Sequence, residues 1–274
     1  MKIGHPPSAY YVAEEFEERA DDLDGLLSDY LEGSSEDSVH EVRTTMRRLM
    51  TFHRTLPKNV RNDRGVREYI ELCQRFFRAY TSIRDDDIIK AKLEEVCGFR
   101  EDDPLIVALV RRRGSTLAHA RRLASELKNA KPPSIVVEEI SNRKLKRRYR
   151  KLIDQLDGRL EKKLPQVLSD PKRLRELHEV RKQFKKLRYL VELSADKKKR
   201  AVAKALKGFT ELQDLLGAIH DDDITIAYLR RSTQNEQTVG ARNMLVRSRA
   251  ANYRKLVEGH GAALLSRRWM LTGH

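Results

Sequence analysis

Aromatic residues are scarce in this 274-residue chain, at 6% with a single tryptophan, and it holds only 13 glycines, 8 prolines and 2 cysteines. So little glycine and proline excludes collagen-like repeats and proline-rich disorder. Cys73 and Cys97 stand outside any metal-type spacing. They build no zinc site or disulfide framework, and they fit a reducing cytoplasm. Long apolar runs are missing too. The longest clean one near the middle, Leu105 to Val110, is far short of the ~20 residues that span a bilayer. The N-terminal stretch turns acidic where a signal peptide would carry its apolar segment. The reading is therefore a soluble, cytoplasmic protein without a membrane partner. Glycine-rich phosphate loops and dinucleotide fingerprints are also absent.

What the chain does have is positive charge. Lysine and arginine number 56 against 41 aspartates and glutamates, a net +15, with a pI near 9.8. That balance calls for a polyanionic partner, whether nucleic acid, anionic membrane or a phosphate polymer. Composition does not choose among these; the placement of the charges does.

The chain also repeats itself. VHEVRTTMRRLMTF at Val39–Phe52 resembles LHEVRKQFKKLRYL at Leu177–Leu190, an offset of 138 (39 to 177). IRDDDIIKAKL at Ile83–Leu93 resembles IHDDDITIAYL at Ile219–Leu229, and LVRRR at Leu109–Arg113 resembles LVRSR at Leu245–Arg249, both at an offset of 136 (83 to 219, 109 to 245). Three collinear matches at a near-constant offset predict a duplicated unit, with its seam at Lys131-Pro132-Pro133-Ser134. Residues 1–132 and 133–274 are then the two repeats of one domain spanning about 8–270.

Apolar residues recur at three- and four-residue steps and never in strict alternation, so the fold class is all-α. The first half predicts helices near Ser8–Leu31, Ser38–Leu56, Gly65–Ser82 and Asp103–Asn129, with a short one after Asp85. The second predicts them near Ile135–Leu164, Pro171–Leu193, Lys197–Ala218 and Val239–Trp269, with a short one after Asp221. Gly33-Ser34-Ser35 and Ser169-Asp170-Pro171 supply the turns before the helices that carry His40 and His178. Four main helices per half predict two four-helix bundles related by a pseudo-twofold axis.

At ~100° per residue, His40, Arg43, Arg47 and Arg54 fall within about 60° of one another, opposite Val42, Met46, Leu49, Phe52 and Leu56. The second copy repeats the arrangement: His178, Arg181, Lys185 and Arg188 oppose Val180, Phe184, Leu187, Leu190 and Val191. Like charges stacked at such spacing cost a few tenths of a kcal/mol per pair. A helix that accepts this twice is matched to an anionic ligand, although a solvated basic face is the plainer reading of any single stripe. Further cations share faces on other helices: Arg111 with Arg122, Arg247 with Arg254, and Arg143 with Arg147 and Arg150. Arginine's planar fork fits two phosphate oxygens, and lysine adds a compact charge. Phosphate nearby favours protonated histidine.

The residues His40-x-x-Arg43-x-x-x-Arg47-Arg48 and His178-Glu-Val-Arg181-Lys182-x-x-Lys185-x-Leu-Arg188-Tyr189-x-x-Glu192 resemble the CHAD family, the conserved-histidine α-helical domain. Leu212-Gln213-Asp214-Leu215-Leu216-Gly217-x-x-x-Asp221 resembles the family's Leu-Gln-x-x-Leu-Gly-x-x-x-Asp segment, with Ile83-Arg84-Asp85 as its counterpart. The resemblance implies paired helical bundles around a basic central cleft or pore that binds inorganic polyphosphate or another linear polyanion. It implies no catalysis, cofactor or metal, and a place at polyphosphate granules. Carried over by position, the binding candidates are His40, Arg43, Arg47 and Arg48 in the first copy and His178, Arg181, Lys182, Lys185 and Arg188 in the second. A second rank comprises Arg54, Arg111, Arg122, Arg147 and Arg150, then Tyr189, Lys204, Lys207, Arg247 and Arg254.

Two rival functions stay open. The charge fits nucleic acid, but the basic stripes carry few aromatics for stacking bases and no known DNA-reading motif appears. His220-Asp221 is the dipeptide of a class of metal phosphohydrolases, yet its repeat equivalent is Arg84-Asp85 and no partner histidine sits at ligand spacing. The triplets Asp85-Asp86-Asp87 and Asp221-Asp222-Asp223 read as N-terminal caps of the short helices that follow them, because aspartate accepts the free backbone N–H groups there.

Overall fold

Five helices begin where the sequence supplies a side-chain oxygen for the first unpaired backbone N–H groups. Ser8, Asp63, Asp103, Ser141 and Asn235 each accept a hydrogen bond from a backbone N–H two or three residues on. The computed structural model describes residues 5–33, 36–194 and 200–266, in which nine α-helices and no strand occur. They are α1 (Ala9–Glu32), α2 (Glu36–Thr55), α3 (Lys58–Arg61), α4 (Arg64–Ala91), α5 (Pro104–Asn129), α6 (Asn142–Ser169), α7 (Leu174–Glu192), α8 (Arg200–Arg231) and α9 (Glu236–Leu265). Ser34, Ser35, Lys197 and Trp269, on which parts of the predicted turns and helix ends fall, lie outside the described residues.

Each half closes a ring of four long helices. In the first, α1 packs on α2 and α5, and α4 packs on the same two; in the second, α6 packs on α7 and α9, and α8 does likewise. The apolar stripes read from the sequence fill the rings. Val42, Met46 and Leu49 are fully buried in one core with Phe16, Tyr30 and Phe76, and Phe184 and Leu187 are fully buried in the other with Phe209. Ile135, Ile140 and Leu145, downstream of the proline pair, belong to the first core. Like meets like between the rings, α2 against α7 and α4 against α8. A third apolar cluster joins them, with Ile89, Leu93 and Leu109 packed with Ile226, Leu229 and Leu245.

The aspartate triplets are not caps. Helix α4 runs unbroken through Asp85-Asp86-Asp87 to Ala91, and α8 runs through Asp221-Asp222-Asp223 to Arg231. No separate short helices follow them; α4 only loosens into a π-helical turn at Lys92–Val96, closed by Gly98 at φ 72°. Successive side chains on a helix diverge by ~100°, so each aspartate meets a different partner. Arg113 donates to Asp87 at 2.5 Å, and Arg249 donates to Asp223 at the same positions 136 residues on. Arg112 pairs with the buried Asp86. Asp222, fully buried, accepts from Ser248 at 2.9 Å and from Lys92 at 2.8 Å. That last bond ties the first half to the second. The sequence pattern misled because a carboxylate that caps and one that pairs across helices look alike until the partner helix is in place. Helix α6 also overruns its predicted end, continuing past Pro165 to Ser169.

Removing Asp222 would strand Lys92 between the halves. Asp222→Ala is expected to destabilise the protein by about 2–4 kcal/mol, since breaking one partner of a buried pair leaves an uncompensated charge. A drop in the urea midpoint, with Asp102→Ala on the exposed surface near neutral, checks it.

Candidate functional site

The ring packing decides where the basic stripes point. Each stripe lies opposite a buried apolar face, so it emerges where its ring meets the other. There α2, α4, α7 and α8 enclose a cavity of about 610 Å³. From α2 it receives His40, Arg43, Arg47 and Arg54, and from α7 His178, Arg181, Lys182, Lys185 and Tyr189. Both stripes thus line one hollow.

Several contributors escaped the sequence reading. Arg84 and Asp85 come from α4, and His220 and Asp221 occupy the corresponding places on α8. Lys186, Phe77 and Thr81 complete the wall. The signal for Arg84 and His220 was present: they precede the aspartate triplets in both copies of the repeat. Reading the triplets as caps removed them from view.

Local contacts hold the cations in place. The guanidinium carbons of Arg43 and Arg47 sit 5.0 and 5.1 Å from the centre of the Phe77 ring, within cation–π range. Arg43 also donates to the Thr81 hydroxyl at 3.4 Å. His178 and His220 approach through their Nδ1 atoms at 3.3 Å with ring centres 4.6 Å apart. That contact is a hydrogen bond when one Nδ1 carries a proton and the other accepts.

Pairing separates this cluster from the cations that fasten neighbouring helices, where Arg113, Arg249 and Lys92 meet carboxylates. Among the described residues, Arg43, Arg47, Arg84, Arg181, Lys185 and Lys186 form no ion pair, and the Arg181 Nε is buried without a hydrogen-bond partner. Only Asp85 and Asp221 bring negative charge to the wall, and burial raises the proton affinity of both. The cations respond to one another. Burial, then Arg181, Arg47 and Arg43, pushes the Lys185 ammonium down to about 6. Burial, then Arg47 and Arg84, brings Arg43 down to about 10. Burial lowers His40 and His178, with nearby cations adding to it, and takes His220 to about 3. Burial and mutual repulsion thus both disfavour the protonated forms of these groups.

The remaining sequence candidates lie elsewhere. Arg48 and Arg188 turn away from the cavity and share Glu192, at 3.5 and 2.8 Å. Arg188 also donates to Gln213 at 3.1 Å. Glu192 thus holds two cations in place outside the cavity. Arg147 and Arg150 line an open groove on α6. Arg111 and Arg122 on α5, Lys204 and Lys207 on α8, and Arg247 and Arg254 on α9 are exposed and outside the cavity. Among the described residues no cluster of three or more His, Cys, Asp or Glu suits a metal ion, and no helix is long and apolar enough to cross a membrane.

The family model for the CHAD domain matches residues 14–230. A solved structure, the CHAD domain from the plant Ricinus communis, aligns with a TM-score of 0.56 at 14% identity, covering 100% of this chain and 94% of that one. At that identity the likeness concerns the fold alone. No curated protein matches the chain.

Lys185 carries a stability cost with a definite sign. Its pKa is about 6 in the folded protein against an ordinary 10.5, so between these values the unfolded chain binds the extra proton and stability rises with pH. Lys185→Met is expected to raise the thermal midpoint most near pH 6, with the gain shrinking toward pH 10. Melting curves across that range check it, and an unchanged profile would contradict the depressed lysine.

Proposed function

The chain belongs to the CHAD family, and from that premise we propose that it binds inorganic polyphosphate in the cavity between α2, α4, α7 and α8, as a binding module with no reaction of its own. The observation that carries this reading is the cluster of unpaired cations facing one another across a single hollow. Such a cluster is costly when empty and is relieved by a dense anion. Arginine forks and lysine ammoniums suit bridging and terminal phosphate oxygens without any base to read. On this reading the two rings are the two copies of the sequence repeat, each contributing one stripe.

Nucleic acid fits this cavity less well than a bare phosphate chain. Phe77 is engaged by Arg43 and Arg47, and Tyr189, the other aromatic of the wall, is buried, so the cavity offers little aromatic surface for the base stacking that supports single-strand binding. The phosphohydrolase reading gains a second histidine beside His220, His178, but among the described residues no group of three or more His, Cys, Asp or Glu suits a metal ion. We place the protein in the cytoplasm, at polyphosphate granules, where a buried Cys73 thiol pushed up to about 12 stays reduced and inert.

Combined Arg43→Glu, Arg47→Glu, Arg181→Glu and Lys185→Glu should reduce affinity for long-chain polyphosphate by roughly 100-fold or more, because charge-assisted contacts contribute about 1.5–3 kcal/mol each. Retained affinity in a titration would remove the site. Binding should also take up protons near pH 7.5, since the anion returns Lys185 from about 6 toward its ordinary value. Affinity then climbs as pH falls from 8 to 6. Calorimetry in buffers of different ionisation enthalpy measures the uptake, and Lys185→Gln should remove most of it.

A further inference from the structure

The cavity has two sides of opposite character. On one, Arg54 and Lys186 open onto a depression of about 300 Å³ that they share with Arg148 and Arg159 of α6. Arg148 reaches across to donate to the Arg54 carbonyl at 3.0 Å. The depression in turn shares Gln155 with a shallow groove of about 830 Å³ along α6, lined by Arg143, Lys146, Arg147 and Arg150. All four are exposed. These three hollows meet residue to residue, through Arg54 and Lys186 and then through Gln155, and cations outnumber the one carboxylate, Asp154, along the way to the outside of the molecule. From Arg159 back to Arg143 the helix extends this path by roughly 24 Å, at ~1.5 Å per residue.

On the other side the charge reverses. A depression of about 720 Å³ shares His40 and Thr44 with the cavity, and Asp21, Asp22, Asp29 and Glu41 line it. The two flanking helices hold equivalent places in their rings, yet α1 carries nine carboxylates and one arginine, whereas α6 carries ten basic residues and three acidic ones. The repeat itself is broken in the same sense. Arg48 corresponds to Lys186; Arg48 is drawn to Glu192 on the acidic side, while Lys186 stands unpaired on the basic side, near Arg54 and Arg159.

We propose that a linear polyanion held in the cavity leaves it on one side only, past Arg54 and Lys186, and continues along α6, whose Arg143–Arg150 face is an extension subsite engaged by long chains and not by short ones. The inference rests on the polyphosphate reading above and adds a direction and a chain-length dependence to it. An anion emerging toward α1 meets carboxylates; one emerging toward α6 meets cations that have no other partner to satisfy.

The test compares the whole protein's affinity for tripolyphosphate, long-chain polyphosphate and duplex DNA. An α6 variant (Arg143→Gln, Lys146→Gln, Arg147→Gln, Arg150→Gln) should lose about tenfold toward the long chain and less than about twofold toward tripolyphosphate, because only the long chain releases counterions along α6. A control with the same charge change at exposed cations away from these hollows (Arg64→Gln, Arg67→Gln, Arg100→Gln, Lys131→Gln) should lose less than about twofold toward either probe. The extension is overturned if the α6 variant behaves like the control, or if it weakens both probes equally. It is overturned too if the α6 variant loses DNA binding but keeps the long chain, which would make this face a nucleic-acid surface. A cavity variant (Arg47→Gln, Lys185→Gln) separates the two readings. Should it keep both phosphate probes, the polyphosphate assignment itself falls; should it lose both while the α6 variant loses neither, only the extension falls.

Discussion

The structure depends on holding like charges together without partners. At the effective dielectric of ~20 that suits half-buried sites, two unit charges about 8 Å apart repel by roughly 2 kcal/mol, and among the described residues Arg43, Arg47, Arg54, Arg84, Arg181, Lys185 and Lys186 line this cavity without an ion pair. Solvent relaxes part of that repulsion, and deprotonation relaxes more: Lys185 yields its proton at about 6 rather than hold a charge against Arg181, Arg47 and Arg43. The rest is borne by the two apolar cores, which fix α2 and α7 with their basic stripes facing inward. A cavity of this kind cannot stabilise the protein that contains it. Its electrostatic cost is borne by structure elsewhere, and on the reading proposed above that cost is what a bound anion would relieve.

The aspartate triplets show how that structure elsewhere is built. Three consecutive acids on one helix point three ways, and the fold uses all three directions. Asp85 and Asp221 face the cavity, where they temper its charge. Asp87 and Asp223 anchor Arg113 and Arg249 on the neighbouring helix, in the same register in both halves. The middle positions have diverged: Asp86 holds Arg112 within the first half, and Asp222 takes Lys92 from the other half. Cations of identical type are thereby sorted into paired ones that fasten helices and unpaired ones left for a ligand. Sequence composition records only their sum, which is why a net +15 identifies a class of partner and not a site.

Much of this was legible in the sequence for a physical reason. Amphipathic periodicity is local, so the helices, the buried faces of α2 and α7 and the inward stripes could be read from spacing alone. What a neighbouring helix decides could not. Arg188 falls on the same face as Arg181 by angle, but it lies a turn beyond Lys185, where Glu192 and Gln213 capture it. Lys186 is ~100° off the stripe of its own helix, yet it reaches the cavity because α2 and α6 leave room beside Arg54. Arg84 and His220 belong to helices that show no basic stripe at all, and only the crossing of α4 with α8 brings them to the wall.

Two rings that meet like helix against like helix supply a symmetric frame, and the phosphate chain proposed as ligand would have no direction to distinguish one end of that frame from the other. Symmetry alone would let the polymer emerge equally on both sides. The departure lies in α1 and α6, which hold matching places in the two rings but carry opposite charge. Neither helix needs that charge to pack, because the buried residues of both are apolar or aromatic. The outer surface is therefore free to diverge while the rings stay alike. On the reading proposed above, divergence there makes the central hollow one-sided, with the grip supplied by what the two rings have in common and the polarity by what they do not.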